Sequence, residues 1–329
     1  MLCVGSEFPI HCTDKQLFVL QTRLRSPQPA PSACNSTSRL FMGSLPETVQ
    51  PFMFSADQPG FRVDLPDNTS AAVLQQGAHV LSWQPAGHRP VLWLSNSTWR
   101  QSDKPIRGGI PVCFPWFGPH PTDNSQPAHG LARIRSWHLA NAASVGNSDE
   151  IELHLTCQQA PFTVDFRVRI GRELKCTLAV HLPADATSPA SFEAALHTYL
   201  AVSDIRSVQV LGLESVPFLN RAPGETDGKA ANSPITFSAE TDRIYQHTEH
   251  TVQVVDRGWN RVISISKAGS KSTVVWNPWI DKSHRMPDFG DNEWTGMLCV
   301  ETANIGECAI QLQPGQSHTL HALLAVRHQ

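Results

Sequence analysis

Residues 151–182, with the sequence IELHLTCQQAPFTVDFRVRIGRELKCTLAVHL, decide the fold class. Apolar and polar residues alternate in three runs, at 151–157, 164–170 and 174–182. A period of two is typical of β-strands, whose successive side chains point to opposite faces of a sheet. The Gly171-Arg172 pair between the second and third runs predicts a hairpin at that point.

The chain on both sides of this stretch repeats the strand-and-turn pattern from about residue 50. No run of ten or more residues has the period of an amphipathic helix. Many short strands separated by turns predict an all-β fold, a large antiparallel β-sandwich that forms a single domain over residues 46–329. The further strand candidates are 71–83, 192–202, 207–213, 251–255, 261–266, 273–276, 297–303, 308–313 and 318–327.

Residues 1–45 differ from this domain. The stretch 23–33, RLRSPQPAPSA, is rich in Pro and Ser and lacks apolar periodicity, so we predict a poorly structured amino-terminal extension. The start of the chain lacks the positive and apolar regions of a secretory signal peptide, and Met42 offers an alternative initiator.

Composition excludes several classes of protein. The 329 residues are 40% hydrophobic and 17% charged, with a formal net charge of -3, which favours a packed core and gives no basic face for nucleic acid. No apolar run reaches the roughly 18 residues that span a bilayer, so we expect no membrane segment. The eight cysteines form no Cys-x-x-Cys pair. We therefore predict reduced thiols in a cytoplasmic protein, and we expect a monomer.

Two stretches rich in Gly and Pro carry arginines. They are 104–118, KPIRGGIPVCFPWFG, and 127–133, PAHGLAR. Prolines fix φ and glycines allow close backbone approach, so the first stretch predicts a shaped loop rather than a strand. Arg107 and Arg133 are candidates for a fork that binds phosphate, the alternative for each being a surface salt bridge.

His197 and Glu301 lie within predicted strands. The period of two places His197 and Tyr199 on one face of their strand. Glu301 is a lone carboxylate in an otherwise apolar run, so it must be paired, hydrogen-bonded or functional. A structural role stays open for both residues at this point.

Motifs for a metal or an organic cofactor are missing from the sequence. The histidines at 79, 88, 120, 129 and 138 are scattered, and no His-x-His or His-x3-His pair lies beside a carboxylate at ligand spacing. The chain also lacks a Walker loop, a dinucleotide fingerprint and a Gly-x-Ser-x-Gly elbow. We therefore expect no metal and no cofactor.

Six ordered blocks resemble the glucose-6-phosphate 1-epimerase family, which belongs to the galactose mutarotase-like superfamily. The resemblance covers about residues 50–327 and implies a β-supersandwich without a metal or organic cofactor. It also implies interconversion of the α and β anomers of a hexose 6-phosphate, such as glucose 6-phosphate. The blocks are PIRGGIPVCFPWFG at 105–118, AHGLAR at 128–133, LHTYL at 196–200, ETDRIY at 240–245, VVWNPW at 274–279 and CVETAN at 299–304.

The resemblance also implies the roles of individual residues. His197 is a catalytic acid/base and Glu301 is its partner. Arg107 and Arg133 contact the substrate at its phosphate, and Asp242 contacts sugar hydroxyls. We expect His129 to lie near the sugar ring as a second polar contact.

One position departs from the family pattern. Ala128 stands where some members carry a Gln that touches substrate. That contact should be missing here or supplied otherwise, which bears on the fit of the substrate more than on catalysis.

Two rival functions remain open. A phosphosugar-binding module without catalysis would use the arginines alone, and it would have no reason to keep both His197 and Glu301. A metal-dependent β-barrel enzyme would instead use some of the fifteen histidines.

Overall fold

Antiparallel β-strands are the main secondary structure of the computed structural model, which describes residues 44–146, 148–224 and 226–329. The first eleven strands are β1 (Val49–Ser55), β2 (Gln58–Asp64), β3 (Ser70–Leu74), β4 (Val80–Gln84), β5 (Val112–Cys113), β6 (His138–Ser144), β7 (Ile151–Gln159), β8 (Phe162–Ile170), β9 (Leu174–His181), β10 (Ala190–Phe192) and β11 (Ala194–Leu196).

The second half of the described chain continues in the same way. Its strands are β12 (Tyr199–Ala201), β13 (Val208–Leu211), β14 (Pro217–Asn220), β15 (Gly228–Lys229), β16 (Thr241–Gln246), β17 (Val252–Asp256), β18 (Arg261–Ala268), β19 (Ser272–Asn277), β20 (Met297–Asn304), β21 (Ile310–Leu312) and β22 (Ser317–His328). Helices are α1 (Trp279–Arg285) and the 3₁₀ turns Ala132–Ile134, Ile205–Ser207, Arg257–Trp259, Glu293–Gly296 and Gly306–Cys308.

Two eight-stranded sheets dominate the described residues. The long-stranded sheet has the order β13-β17-β18-β22-β9-β8-β7-β6, and the short-stranded sheet has the order β15-β14-β16-β19-β20-β11-β5, with β12 also paired to β20. A four-stranded sheet, β1-β2-β3-β4, and the pair β10-β21 complete the fold. This arrangement confirms the predicted antiparallel all-β class.

The long-stranded sheet follows the sequence pattern closely. Strand β7 alternates buried and half-buried residues over most of its length, as the apolar period requires. Strands β8 and β9 pair antiparallel from Thr163–His181 to Ile170–Leu174, which confirms the predicted hairpin at Gly171-Arg172.

The short-stranded sheet departs from the predicted strands. The run 192–202 is not one strand, because the backbone turns at Thr198, whose N–H donates to Leu196 O at 2.8 Å, and this turn separates β11 from β12. The run 71–83 likewise divides into β3 and β4 around residues 75–79. Pattern reading also missed several strands, among them β1, β2, β6, β14 and β16, which are short or lack clear alternation.

The stretch 104–118 is mostly the irregular loop that its prolines and glycines predict, with one exception. Val112 and Cys113 form β5 and pair with Leu196 and Ala195 at the edge of the short-stranded sheet. A ladder is possible there because these two residues lie between the prolines and retain their backbone N–H groups.

A continuous buried cluster contains side chains from both large sheets and from the four-stranded sheet. Every residue of β20 is buried, so both faces of this central strand are covered. The five cysteines among the described residues are free thiols, four of them buried and Cys157 half-buried.

Two predictions about the chain ends and the membrane can be placed against this structure. The predicted extension of residues 1–45 falls outside the described residues, apart from Ser44 and Leu45, and it stays a prediction. Within the described ranges, no helix is long and apolar enough to cross a membrane.

Candidate active site

A cavity of about 610 Å³ opens over one face of the short-stranded sheet. Its floor follows the period of two: Asp242, Ile244 and Gln246 of β16 line it, as do Val274 and Trp276 of β19. Glu301 of β20 lies opposite Val274 in the ladder and therefore on the same face. The alternation of β20 thus turns one carboxylate of an apolar strand into the cavity.

Glu301 and His197 form the deepest polar pair of the cavity. His197 follows β11 at the turn before β12, and its backbone N–H donates to Pro111 O at 3.0 Å. Its Nε2 lies 3.3 Å from Glu301 Oε1, and the residues are 7% and 1% exposed. His197 Nδ1 and Glu301 Oε2 are buried without a hydrogen-bond partner in the described chain. Both residues line the cavity, and each keeps one polar atom without a partner among the described residues.

Burial favours the neutral form of each group in this pair. It raises the pKa of Glu301 well above its usual range, and nearby Asp242 adds to the effect. Burial also lowers the pKa of His197 well below its usual range, helped by His129 and Arg107. A protonated carboxyl beside a neutral imidazole holds one proton, as does a carboxylate beside an imidazolium. The pair therefore holds a single proton over a wide pH range.

Aromatic rings fix the plane of the His197 imidazole. Tyr199 stacks on it with centroids 4.7 Å apart and an angle of 12° between the planes. Trp276 meets it edge-on at 6.1 Å and His129 at 5.6 Å. Such packing restricts imidazole rotation and keeps its Nε2 toward Glu301.

His129 also lines the cavity. Burial, with the charges of Arg133 and Arg107, lowers the pKa of His129 to about 3, so the ring is neutral near pH 7. Its Nδ1 accepts the Gly118 N–H at 3.3 Å. The next residue, Gly130, has φ +77°, and a Cβ there would lie 2.0 Å from Phe114 O. Glycine is thus required where the His129 loop crosses the residue 104–118 loop.

Arg107 also lines the cavity, and it is strongly paired. Its Nε and Nη2 donate to the two carboxylate oxygens of Asp288, each at 3.2 Å, and its Nη1 donates to Tyr199 Oη at 3.0 Å. Gly109, two residues on, has φ +59°, and a Cβ would lie 2.2 Å from Val80 O. This close approach shapes the loop that presents Arg107.

Arg133 does not share the cavity wall with Arg107. It lies in the 3₁₀ turn Ala132–Ile134, and its Nη2 donates to Ala128 O at 2.6 Å. Its Nε is buried without a partner in the described chain. The backbone carbonyl of Ala128 thus holds one edge of Arg133, and the two arginines do not form a symmetrical fork in this structure.

Asp242 lies at the cavity wall beside a lysine that sequence reasoning missed. Lys282 of α1 places its Nζ 2.9 Å from Glu240 Oε1 and 3.4 Å from Asp242 Oδ2. Burial raises the pKa of Asp242, and the charge of Lys282 opposes that rise. Lys282 and Asp288 carry no motif, because a lone charged residue in a short helix or loop is usually solvated. Only the tertiary structure brings Lys282 to the cavity and Asp288 to Arg107.

One set of possible metal ligands lies within this site. Donor atoms of His197, Cys299 and Glu301 all lie within 4.8 Å of one another. Burial raises the pKa of the Cys299 thiol well above its usual range, and nearby Glu301 adds to the effect.

Comparisons with known proteins agree with this fold. The family model described as aldose 1-epimerase matches residues 61–325. Two curated relatives are each named "Putative glucose-6-phosphate 1-epimerase". One, from Escherichia coli (strain K12), is 35% identical over 74% of this chain and 83% of its own length. The other, from Cenchrus ciliaris, is 32% identical over 76% of this chain and 79% of its own length.

Solved structures show the same architecture. A Salmonella typhimurium protein described as a "putative mutarotase" superposes with a TM-score of 0.79 and 29% identity, over 87% of this chain and 96% of its own. A galactose mutarotase-like protein from Clostridium acetobutylicum has a TM-score of 0.67 at 13% identity, over 85% and 98% of the two chains, and supports the fold alone.

Proposed function

Because this chain belongs to the aldose 1-epimerase family, we propose that it is a hexose-6-phosphate mutarotase. It would interconvert the α and β anomers of glucose 6-phosphate and of similar aldohexose 6-phosphates. The observation that carries the proposal is the buried pair of His197 and Glu301, two residues that line the cavity and each keep one polar atom without a partner in the described chain. Mutarotation requires proton transfer at two oxygens of the sugar, the anomeric O1 and the ring oxygen. This pair places two proton-transfer groups side by side.

Ring opening uses the pair in its carboxylate–imidazolium form. Glu301 accepts the proton of the anomeric O1 hydroxyl while the His197 imidazolium donates its proton to the ring oxygen. The bond from C1 to the ring oxygen breaks, and its electron pair stays on that oxygen. The C1–O1 bond becomes a carbonyl, and the pair is left as a protonated carboxyl beside a neutral imidazole.

Ring closure reverses these transfers after rotation about the C1–C2 bond. His197 takes the proton back from the ring hydroxyl, and Glu301 returns a proton to O1 as the ring closes on the other face of the carbonyl. The pair holds one proton before and after each step. Burial favours the neutral form of both groups, so the proton must move from Glu301 to His197 before ring opening begins. Each group is expected to contribute about 10²–10⁴-fold to the rate.

Substrate binding is assigned to the remaining polar residues of the site. We propose that Arg107 contacts the phosphate, that Asp242 accepts hydrogen bonds from sugar hydroxyls and that neutral His129 makes a polar contact near the ring. Arg133 is proposed as a second phosphate contact, and it would have to turn from Ala128 O toward the cavity to serve. The steps above transfer protons only and call on no cofactor. The absence of a cofactor stays a prediction. The cytoplasmic location and the monomeric state are predictions as well.

The binding-module alternative is disfavoured by the cost of the buried pair. Unpartnered buried polar groups reduce stability by about 1–3 kcal/mol each. A protein that only binds phosphosugar can contact sugar hydroxyls with neutral polar side chains, and it does not require two adjacent proton-transfer groups. Binding of glucose 6-phosphate without anomer exchange would support that alternative.

NMR exchange spectroscopy tests the proposal. Purified protein is added to glucose 6-phosphate, glucose and galactose, and cross-peaks between the α and β anomeric protons give the exchange rate. We expect fast exchange for glucose 6-phosphate and much slower exchange for the two free sugars. Exchange no faster than in buffer for glucose 6-phosphate would refute the proposed function, and equal rates for glucose would refute the phosphate specificity.

A further inference from the structure

Asp288 lies behind the cavity lining and makes a two-point contact with Arg107, which lines the cavity. Asp288 is 2% exposed and follows α1 in the segment 286–292, whereas Arg107 comes from the loop 104–118. Arg107 Nε and Nη2 each donate to a different Asp288 oxygen at 3.2 Å, and Tyr199 Oη accepts from Nη1. Two parallel hydrogen bonds fix the plane of the guanidinium as well as its position.

Counting donors shows what remains for a ligand. A guanidinium has five N–H groups. Asp288 takes one on Nε and one on Nη2, and Tyr199 takes one on Nη1. One N–H is left on each terminal nitrogen, and Arg107 lines the cavity. N–H groups of a planar guanidinium suit the oxygens of a phosphate group.

The backbone on both sides of this contact is tied together. The carboxylate of Glu293 accepts hydrogen bonds from Ser95 Oγ at 2.6 Å, from Asn96 N at 2.9 Å and from Gly290 N at 3.0 Å. The Ser95 N–H in turn donates to Arg107 O at 3.0 Å. The segment that bears Asp288 is therefore anchored beside the backbone of Arg107.

From this geometry we infer that Asp288 is a positioning residue that orients Arg107 for the phosphate of the substrate. The inference rests on the proposed function for the identity of the substrate. The ion pair has no net charge, so binding of the phosphate at this point depends on the direction of the two remaining N–H groups. Without Asp288, the charged guanidinium is free to turn toward other acceptors, and a buried charge is left unpaired.

Four proteins test the inference: the wild type, Asp288→Asn, Asp288→Glu and the matched control Asp291→Asn. Asp291 lies in the same segment with an exposed side chain. Each protein is assayed for anomer exchange over a range of glucose 6-phosphate concentrations. We expect Asp288→Asn to raise KM about 10-fold or more with kcat within about threefold of wild type. Asp288→Glu should have an intermediate KM, and Asp291→Asn should match the wild type.

The Asp288→Glu variant keeps the negative charge and serves if Asp288→Asn does not fold. An unchanged KM in a folded Asp288 variant would overturn the inference, as would an equal rise in KM for Asp291→Asn. If the wild type itself shows no exchange, the proposed function fails. The positioning role is then decided by calorimetric Kd values for glucose 6-phosphate, where Asp288→Asn must weaken binding about 10-fold and Asp291→Asn must not.

Discussion

The two large sheets differ in their strand pattern and in whether they line the cavity. Strands β7, β8 and β9 of the long-stranded sheet alternate buried with more exposed residues, and none of the described residues that line the cavity comes from this sheet. Strands β19 and β20 of the short-stranded sheet are buried on both faces, and they carry Trp276 and Glu301 into the cavity. The long-stranded sheet therefore contributes to the packed core, whereas the short-stranded sheet also carries buried polar groups such as Glu301.

A core substitution in the long-stranded sheet should have the largest effect, on stability alone. Phe166 is completely buried in β8, so Phe166→Ala is expected to lower the free energy of unfolding by about 3–5 kcal/mol. Because Phe166 does not line the cavity, kcat per folded molecule should stay at the wild-type value. Denaturant unfolding and anomer exchange below the unfolding transition measure the two quantities. A fall in kcat of the folded protein would contradict the claim that the long-stranded sheet does not contribute to the active site.

His197→Asn should show the opposite pattern. Loss of the imidazole removes the group that protonates the ring oxygen, and kcat is expected to fall about 10²-fold or more. His197 Nδ1 has no hydrogen-bond partner to lose, so the variant should lose less stability than Phe166→Ala. Exchange spectroscopy and thermal unfolding of the same sample check both parts. A kcat near that of the wild type would show that the acid is another group.

The two arginines should differ in their effect on binding. Arg107→Ala removes charged hydrogen bonds worth about 1.5–3 kcal/mol. We therefore expect KM for glucose 6-phosphate to rise by about 10- to 150-fold, with a smaller loss in kcat. Arg133→Ala should raise KM by less, because its guanidinium is bonded to Ala128 O and does not line the cavity. Steady-state exchange kinetics of both variants give the comparison. A larger effect for Arg133→Ala would place the phosphate on its side of the site.

The pH dependence of exchange should be a broad plateau. At low pH the pair gains a second proton when His197 is protonated, and activity should fall. Because the pKa of His197 is lowered, this acid limb should lie below the usual imidazole range near 6.5. Loss of the last proton requires ionisation of Glu301, whose pKa is raised, so the alkaline limb should lie above the usual carboxyl range near 4.5. The profile of kcat against pH measures both limbs. An acid limb above pH 6.5 would contradict the effect of burial on His197.

Sequence reasoning worked where a residue contrasts with its neighbours. The alternation in residues 151–182 predicted β7, β8 and β9, and the lone carboxylate in the apolar run of β20 pointed to Glu301. The Gly- and Pro-rich loops pointed to Arg107, which lines the cavity, and to Arg133, which does not. His129 also lines the cavity, but only the family resemblance pointed to it.

The rest of the site depends on contacts between segments far apart in the chain. Asp288 reaches Arg107 across 181 positions, and no spacing rule connects them. Lys282 reaches Asp242 only because α1 follows β19, the strand beside β16. The side chain of Arg133 is held by a backbone carbonyl, which exists at every residue and leaves no mark in the sequence.

The most direct test of the account is Glu301→Gln, measured for exchange and for stability together. Burial raises the pKa of Glu301 in the folded protein, whereas the unfolded chain releases this proton near its ordinary pKa. Stability is therefore lost as the pH rises from that ordinary value toward the folded pKa, and Gln removes this loss. We expect kcat for glucose 6-phosphate to fall about 10²-fold or more. The free energy of unfolding should be no lower than that of the wild type at pH 7, with the advantage growing from pH 5 upward. Full kcat in a folded Glu301→Gln protein would contradict the account, because the base would then be another group.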